Sequence, residues 1–173
     1  MKKLTISLES IEAIVFDFDG VLTDNKVYLN QDGKESVSCS RADGLAFDVL
    51  RKLQKSVYIL STERNPVITA RAKKLKIPAI QSVNNKADGI KQLAKKEVFD
   101  LQKTLYIGND LNDYQAMQLC GYTACPSDSH NKIKEISAIV LETTGGNGIV
   151  RELLEVFFQL DFMKILYTKK EEK

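Results

Sequence analysis

No stretch of this 173-residue chain approaches the ~20 consecutive apolar residues of a membrane-spanning helix. The opening MKKLTISLES also lacks the long apolar core and small-residue cleavage site of a signal peptide. Excess charge of one sign is missing too. A net charge of +2 gives no electrostatic case for nucleic acid. Cysteines are few and odd in number: Cys39, Cys120 and Cys125 set out no disulfide framework, which fits a reducing cytoplasm. Cys120, Cys125 and His130 fall close together, but a fourth ligand and zinc spacing are absent, so they read as structural. What remains is an ordinary globular balance, 43% hydrophobic and 28% charged. The length suits one domain with a real core, taken here as 1–173, and is too short for two comfortable ones.

Apolar runs alternate with helical patterns. IEAIVFD (11–17), VYIL (57–60) and KTLYIG (103–108) read as buried strands, with PAIQSV a short extended segment. Residues 26–38 read as a hairpin turning at Asp32-Gly33, a flap extending to about residue 40. Helical spacing covers 43–55, 65–76, 86–98, 110–121 and 147–160, with Asn65 as an N-cap, Pro66 at the first helical position and Gly121 as a C-cap. YTACP and SAIVL read as late strands. The alternation predicts an α/β fold, doubly wound, with a mainly parallel sheet. The tail, about 161–173, joins an apolar FMKILY to a charged YTKKEEK that is expected to fray. FMKILY docks either on a neighbour or on the chain's own core.

Sites in open α/β sheets form beyond the carboxyl ends of the strands. Asp17-Phe18-Asp19-Gly20 follows the first strong strand, with Asp24 close behind. Ser61-Thr62 follows the second, and Gly108-Asn109-Asp110 the third, with Asp113 a turn later. Lys86 opens a helix after the weak segment. Crowded carboxylates repel unless a cation or proton relieves them. Asp17, Asp19 and Asp110 can share Mg²⁺, which favours oxygen ligands and keeps several waters. Ser61 and Lys86 are left to hold an anion, and the set suits a phosphoryl group. Asp17 can attack phosphorus. Asp19, two residues on in extended chain, lies on the same side and can move the proton. Gly20 lets the chain turn away tightly.

In order and spacing, DFDGVLTD, Ser61 after VYIL, Lys86 and IGNDLND resemble the four motifs of the haloacid dehalogenase-like phosphatases. DGVLTDNKVYLNQDGKE, RADGLAF and TTGGNGIVREL further resemble the subfamily acting on 3-deoxy-D-manno-octulosonate 8-phosphate and related nonulosonate 9-phosphates. The resemblance implies a Rossmann-like core and Asp17 as nucleophile, with Asp19 as acid/base. Mg²⁺ would be held by Asp17, the Asp19 carbonyl and Asp110. Ser61, Thr62 and Lys86 would bind phosphate, with Asp113 in support. Relatives often carry Asp directly after the motif glycine, where this chain has Asn109. We favour Asp110 as the ligand, the alternative being Asn109 as a neutral oxygen.

Octulosonate phosphatases tend to carry TGR where this chain has STERN (61–65), a form closer to nonulosonate relatives and to the domains attached to their cytidylyltransferases. Glu63, Arg64 and Asn65 either read the sugar or, for Glu63 and Asn65, cap the next helix. Arg41 and Asp43 either line the substrate entrance or, for Asp43, cap a helix. Gly145, Gly146 and Gly148 are either a flexible turn or, as the resemblance implies, lie with Arg151 near the site. A cap domain is missing, since only 37 positions separate Asp24 from Ser61 and 25 separate Ser61 from Lys86. The resemblance implies a homotetramer that closes the open site with the hairpin and the tail. The expected partner is a small sugar phosphate, and neither nucleic acid nor membrane is expected.

Overall fold

The computed structural model describes residues 6–168. In chain order the elements are β1 (Ala13–Phe16), β2 (Tyr28–Leu29), β3 (Glu35–Ser36), α1 (Ala42–Lys52), β4 (Ser56–Leu60), α2 (Val67–Leu75), β5 (Ala79–Ile80) and α3 (Lys86–Glu97). They continue with β6 (Thr104–Ile107), α4 (Tyr114–Leu119), β7 (Tyr122–Cys125), α5 (Asn131–Ile136), β8 (Ile139–Val140), α6 (Ile149–Glu152) and α7 (Phe162–Tyr167). Six strands form one parallel sheet in the order β5-β4-β1-β6-β7-β8. Chain order reverses on either side of β1, which makes its carboxyl end the switch point of a doubly wound fold.

β1 is fully buried because both its faces are covered. Ile14 and Phe16 face a core shared with α1, α2 and α6; Ala13 and Val15 face the opposite core against α3 and α4. Phe16 meets Phe47 of α1 edge-on, with centroids 5.4 Å apart. Gly89 stands inside α3 because a Cβ there would come within 3.2 Å of Leu60 and 3.3 Å of Val83. That close approach to the sheet outweighs glycine's poor helix propensity.

Several expectations need correction. Residues 110–113 are a turn, and α4 begins only at Tyr114. The apolar spacing there is real, but Asp113 is drawn into a buried polar cluster and the chain cannot wind until past it. Gly121 is not the helix cap, which is Cys120. Its small size is needed elsewhere, since a Cβ would sit 2.0 Å from the Gln102 carbonyl oxygen. α2 starts after Pro66, with Asn65 accepting from Val67 N at 3.1 Å. The closing helix is split: α6 runs into a π-helix at Leu153–Phe157, and α7 is separate. α7 sets Phe162 into the core against α1 and leaves Met163 and Tyr167 exposed, so FMKILY packs on its own chain. α5 has no counterpart in the sequence reading. The frayed end expected for the tail lies, from residue 169 on, outside the described residues. The hairpin exists, turning through Gly33 at φ 74°, but its ladder is only two residues a side. Phe16→Ala is expected to lower unfolding free energy by about 3–5 kcal/mol, read from urea denaturation, because it leaves a cavity in the fully buried core against α1.

Candidate active site

Asp17 extends the ladder by one residue, its N–H donating to the Ile107 carbonyl at 2.9 Å. That places its carboxylate, 4% exposed, at the switch point. Oδ1 accepts from Phe18 N at 2.7 Å and pairs with Lys86 Nζ at 2.7 Å. Lys86 reaches there because Asn85 caps α3, accepting from Ala87 N and Asp88 N, which fixes the start of the helix under the sheet edge. The same ammonium lies 2.7 Å from Asp113 Oδ1. Asp113 also takes the Tyr106 hydroxyl at 3.0 Å, and its Oδ2 accepts from Asn109 N at 3.0 Å and Asp110 N at 3.3 Å. Gly108 permits this, since a Cβ there would stand 2.6 Å from the Asp113 side chain.

One ammonium faces two carboxylates here, and all three side chains are buried. Burial pushes the Asp17 carboxyl up to about 8, the Asp113 charge acts the same way, and Lys86 opposes. Burial pulls the Lys86 ammonium down, but Asp17 and Asp113 together hold it above its ordinary value. The two shifts agree once the cluster is taken whole: lysine stays charged and the surplus negative charge falls on Asp17. Asp19 is raised as well, by burial first and then by Glu63 and Glu35, against Lys86.

The cluster therefore has room for added positive charge. The Asn109 side chain lies against Asp17 Oδ2 and the Asp19 carbonyl. With its nitrogen inward it donates to the carbonyl at 2.9 Å and to the carboxylate at 3.2 Å. With its oxygen inward, three oxygens face one another, an arrangement that a cation or a proton on Asp17 relieves. Among the described residues no three His, Cys, Asp or Glu side chains gather as a metal cage. A carboxylate, a carbonyl and an amide oxygen are nonetheless the hard donors that suit Mg²⁺ with its remaining waters.

Above these groups opens a cavity of about 360 Å³ lined by Asp17, Asp19, Ser61, Thr62, Asn109 and Asp110 among others. Ser61 is buried, its Oγ accepting from Glu63 N at 3.1 Å. Glu63 and Asn25 line both this cavity and a second of about 250 Å³ that runs under the hairpin past Lys26 and Glu35. Asn65 donates to Glu35 at 3.0 Å, tying the hairpin to the loop after β4. Lys86 lies beneath Asp17 rather than on the cavity wall, its side chain 1% exposed. Asp110 is exposed at the rim, with its Oδ1 accepting from Leu111 N at 2.7 Å.

Some expected residues stand elsewhere. Asp24 turns toward the hairpin, accepting from Lys26 N and the Tyr28 hydroxyl. Arg41 and Arg64 are exposed. Asp43 does not line an entrance or cap its own helix; it is buried and accepts from Val150 N and Arg151 N. Tyr106, Asn25, Leu111 and Asn112 were not singled out from the sequence. Tyr106 carried the one available signal, a hydroxyl within an otherwise apolar buried strand.

A family model described as haloacid dehalogenase-like hydrolase matches residues 45–153, more than half of the chain. The chain belongs to that family. It is 30% identical, over 88% of its length and 85% of the relative's, to a 3-deoxy-D-manno-octulosonate 8-phosphate phosphatase of Haemophilus influenzae. It is 25% identical, over 95% of its length but only 37% of the relative's, to N-acylneuraminate cytidylyltransferase A of Danio rerio. Among solved structures it superposes with a TM-score of 0.82, at 29% identity and 87% coverage of each chain, on the octulosonate 8-phosphate phosphatase of Moraxella catarrhalis. That structure holds a magnesium ion, a phosphate ion and KDO. This hydrolase thus has the doubly wound fold expected of it, with no separate cap domain among the described residues.

The raised Asp17 value fixes a sign. The native state holds a proton that the unfolded chain releases between pH 3.8 and about 8. Metal-free protein should lose stability as pH rises through that window and level off above it. Asp17→Asn should flatten the dependence. Melting of the two proteins in EDTA at pH 5 and pH 8 should differ by on the order of 5 °C in the pH-induced shift.

Proposed function

We propose that this chain is a Mg²⁺-dependent phosphatase that hydrolyses the phosphomonoester of a 3-deoxy-2-ulosonic sugar acid in the cytoplasm. The observation that carries this reading is the Asp17 carboxylate held between Lys86 and Asn109, with Asp19 beside it at the floor of a polar cavity. Asp17 attacks phosphorus as the ester P–O bond breaks, which leaves an aspartyl-phosphate and an alkoxide. Asp19, raised by its surroundings and so able to carry a proton, gives it to the alkoxide. It then takes a proton from the water that attacks the aspartyl-phosphate, which releases phosphate and restores the Asp17 carboxylate and the protonated Asp19. Ser61 and Thr62 hold phosphoryl oxygens from the cavity wall, and Lys86 supplies charge from below. Bound Mg²⁺ keeps Asp17 ionised and screens it from the phosphoryl oxygens. Asp17, the Asp19 carbonyl and Asn109 would hold it. Sequence alone favoured Asp110, but Asn109 faces the other two donors while Asp110 is occupied at the rim.

The substrate is either an octulosonate 8-phosphate or a nonulosonate 9-phosphate. STERN favours the nonulosonate, as does the likeness to the cytidylyltransferase. Glu63 and Glu35 in the second cavity suit the hydroxyls of a long polyol, with Arg64 and Arg41 left at the outer rim. The same likeness supports a second reading, a non-catalytic oligomerisation domain, against which stands the complete Asp17, Asp19 and Lys86 set. The assembly is a homotetramer built through the hairpin, whose Val27, Tyr28 and Leu29 are 57%, 53% and 67% exposed.

A panel of octulosonate and nonulosonate phosphates should give Mg²⁺-dependent phosphate release that Asp17→Asn lowers by about 10³-fold or more. Release from neither class would leave the non-catalytic reading standing. Asn109→Ala should raise the Mg²⁺ concentration for half-maximal rate by about 10-fold, whereas Asp110→Asn should leave it within about threefold. Sedimentation should show a tetramer that Leu29→Glu converts to smaller species, because a charge cannot be left unpaired in an apolar contact.

A further inference from the structure

The head of α6 has a cap that comes from another part of the chain. Residue 148, where a capping side chain would stand, is a glycine at φ 98°, a backbone that side-chain-bearing residues rarely adopt. The first-turn N–H groups are instead taken by Asp43, which lies 2% exposed in the first turn of α1. A single oxygen, Oδ1, accepts from Val150 N at 3.0 Å and Arg151 N at 3.3 Å. Oδ2 is buried without a partner. Burial pushes this carboxyl up to about 6 against the bonds from Arg151 and Val150. A half-satisfied buried carboxylate is a poor device for stability alone.

Ahead of α6, the loop Gly145–Gly148 presses on the turn that follows β1. Gly146 N donates to the Val21 carbonyl at 3.0 Å. A Cβ on Gly145 would stand 2.1 Å from the Gly20 carbonyl oxygen, and one on Gly146 would stand 2.3 Å from Asp24 N. These are main-chain atoms and cannot swing aside. The turn beneath is held by Leu22 N and Thr23 N donating to the Phe18 carbonyl at 2.9 and 3.1 Å, and by Gly20 N donating to Thr23 Oγ1 at 3.1 Å. Phe18 lies between Asp17 and Asp19. A continuous run of backbone contacts therefore leads from Asp43 through α6 and the glycine loop to the catalytic carboxylates.

We propose that Asp43 is a positioning residue for the catalytic turn, fixing the head of α6 so that Gly145 and Gly146 clamp Gly20–Asp24 and hold Asp19 in place. The kinetic arm of the test rests on the phosphatase reading; the exchange arm does not. Asp43→Ala and Asp43→Asn would be compared with wild type, alongside Ile133→Ala, a buried truncation in α5 against the opposite face of the sheet. The readouts are melting temperature, kcat and KM for p-nitrophenyl phosphate with Mg²⁺, and amide hydrogen exchange at Leu22 and Thr23. Asp43→Ala should lower kcat by about tenfold with KM within about threefold, and speed exchange at both amides by about tenfold. Asp43→Asn keeps an acceptor and should stay within about threefold of wild type in both. Ile133→Ala should lower the melting temperature and change neither. Should Asp43→Ala not fold, Asp43→Ser, whose hydroxyl reaches less far, should show the same exchange signature. Wild-type exchange at Leu22 and Thr23 in a folded Asp43→Ala or Asp43→Ser protein would overturn the proposal. So would faster exchange that Ile133→Ala matches. If wild type releases no phosphate, the phosphatase reading fails while the exchange result still decides this one.

Discussion

The ammonium of Lys86, 2.7 Å from both Asp17 and Asp113, is the contact on which the rest of the site depends. It does two jobs that pull against each other. By pairing with Asp113 it pins the turn after β6, since the other Asp113 oxygen takes the Asn109 and Asp110 amides. By pairing with Asp17 it makes burial of that carboxylate tolerable but leaves it undercompensated, because one positive charge cannot satisfy two negative ones at low dielectric. That shortfall keeps Asp17 raised and gives the site its appetite for a cation. A surface lysine in the same pairing would be screened and would set neither geometry nor charge.

Because no cap domain is present among the described residues, the loops around this cluster must be held by other means. On one side, the hairpin is tied to the loop after β4 through Asn65 and Glu35. On the other, the glycine loop packs main chain against main chain on the turn after β1. Both devices are short, and each fixes a loop at the rim of the open site.

Much of this was legible in the sequence. The strands ending at Asp17, Ser61 and Gly108 were readable because a buried parallel strand is a continuous apolar run with an abrupt polar end. Knowing where those runs stop is almost the same as knowing which residues sit at the sheet edge. The errors fell where a long-range contact overruled a local pattern. Residues 110–113 have helical spacing but serve Asp113's buried bonds. Gly121 looks like a cap but makes room for Gln102. Asp43 looks like an ordinary first-turn residue but serves a helix more than a hundred positions away. Local rules carry no term for a partner that the fold delivers from elsewhere.

The sequence by itself determined the alternation of strand and helix, the set of carboxylates, hydroxyls and lysine that reach one edge, and the lack of room for a cap. These follow from apolar period and from counting, which need no third dimension. Only the tertiary structure showed that the Asn109 side chain lies against Asp17 while Asp110 accepts from Leu111 N, that Lys86 lies beneath Asp17, and that Asp43 belongs to α6. Each of those depends on which way a side chain points after the chain has turned. That direction is set by burial and by hydrogen bonds to residues distant in sequence, and not by the neighbours on either side.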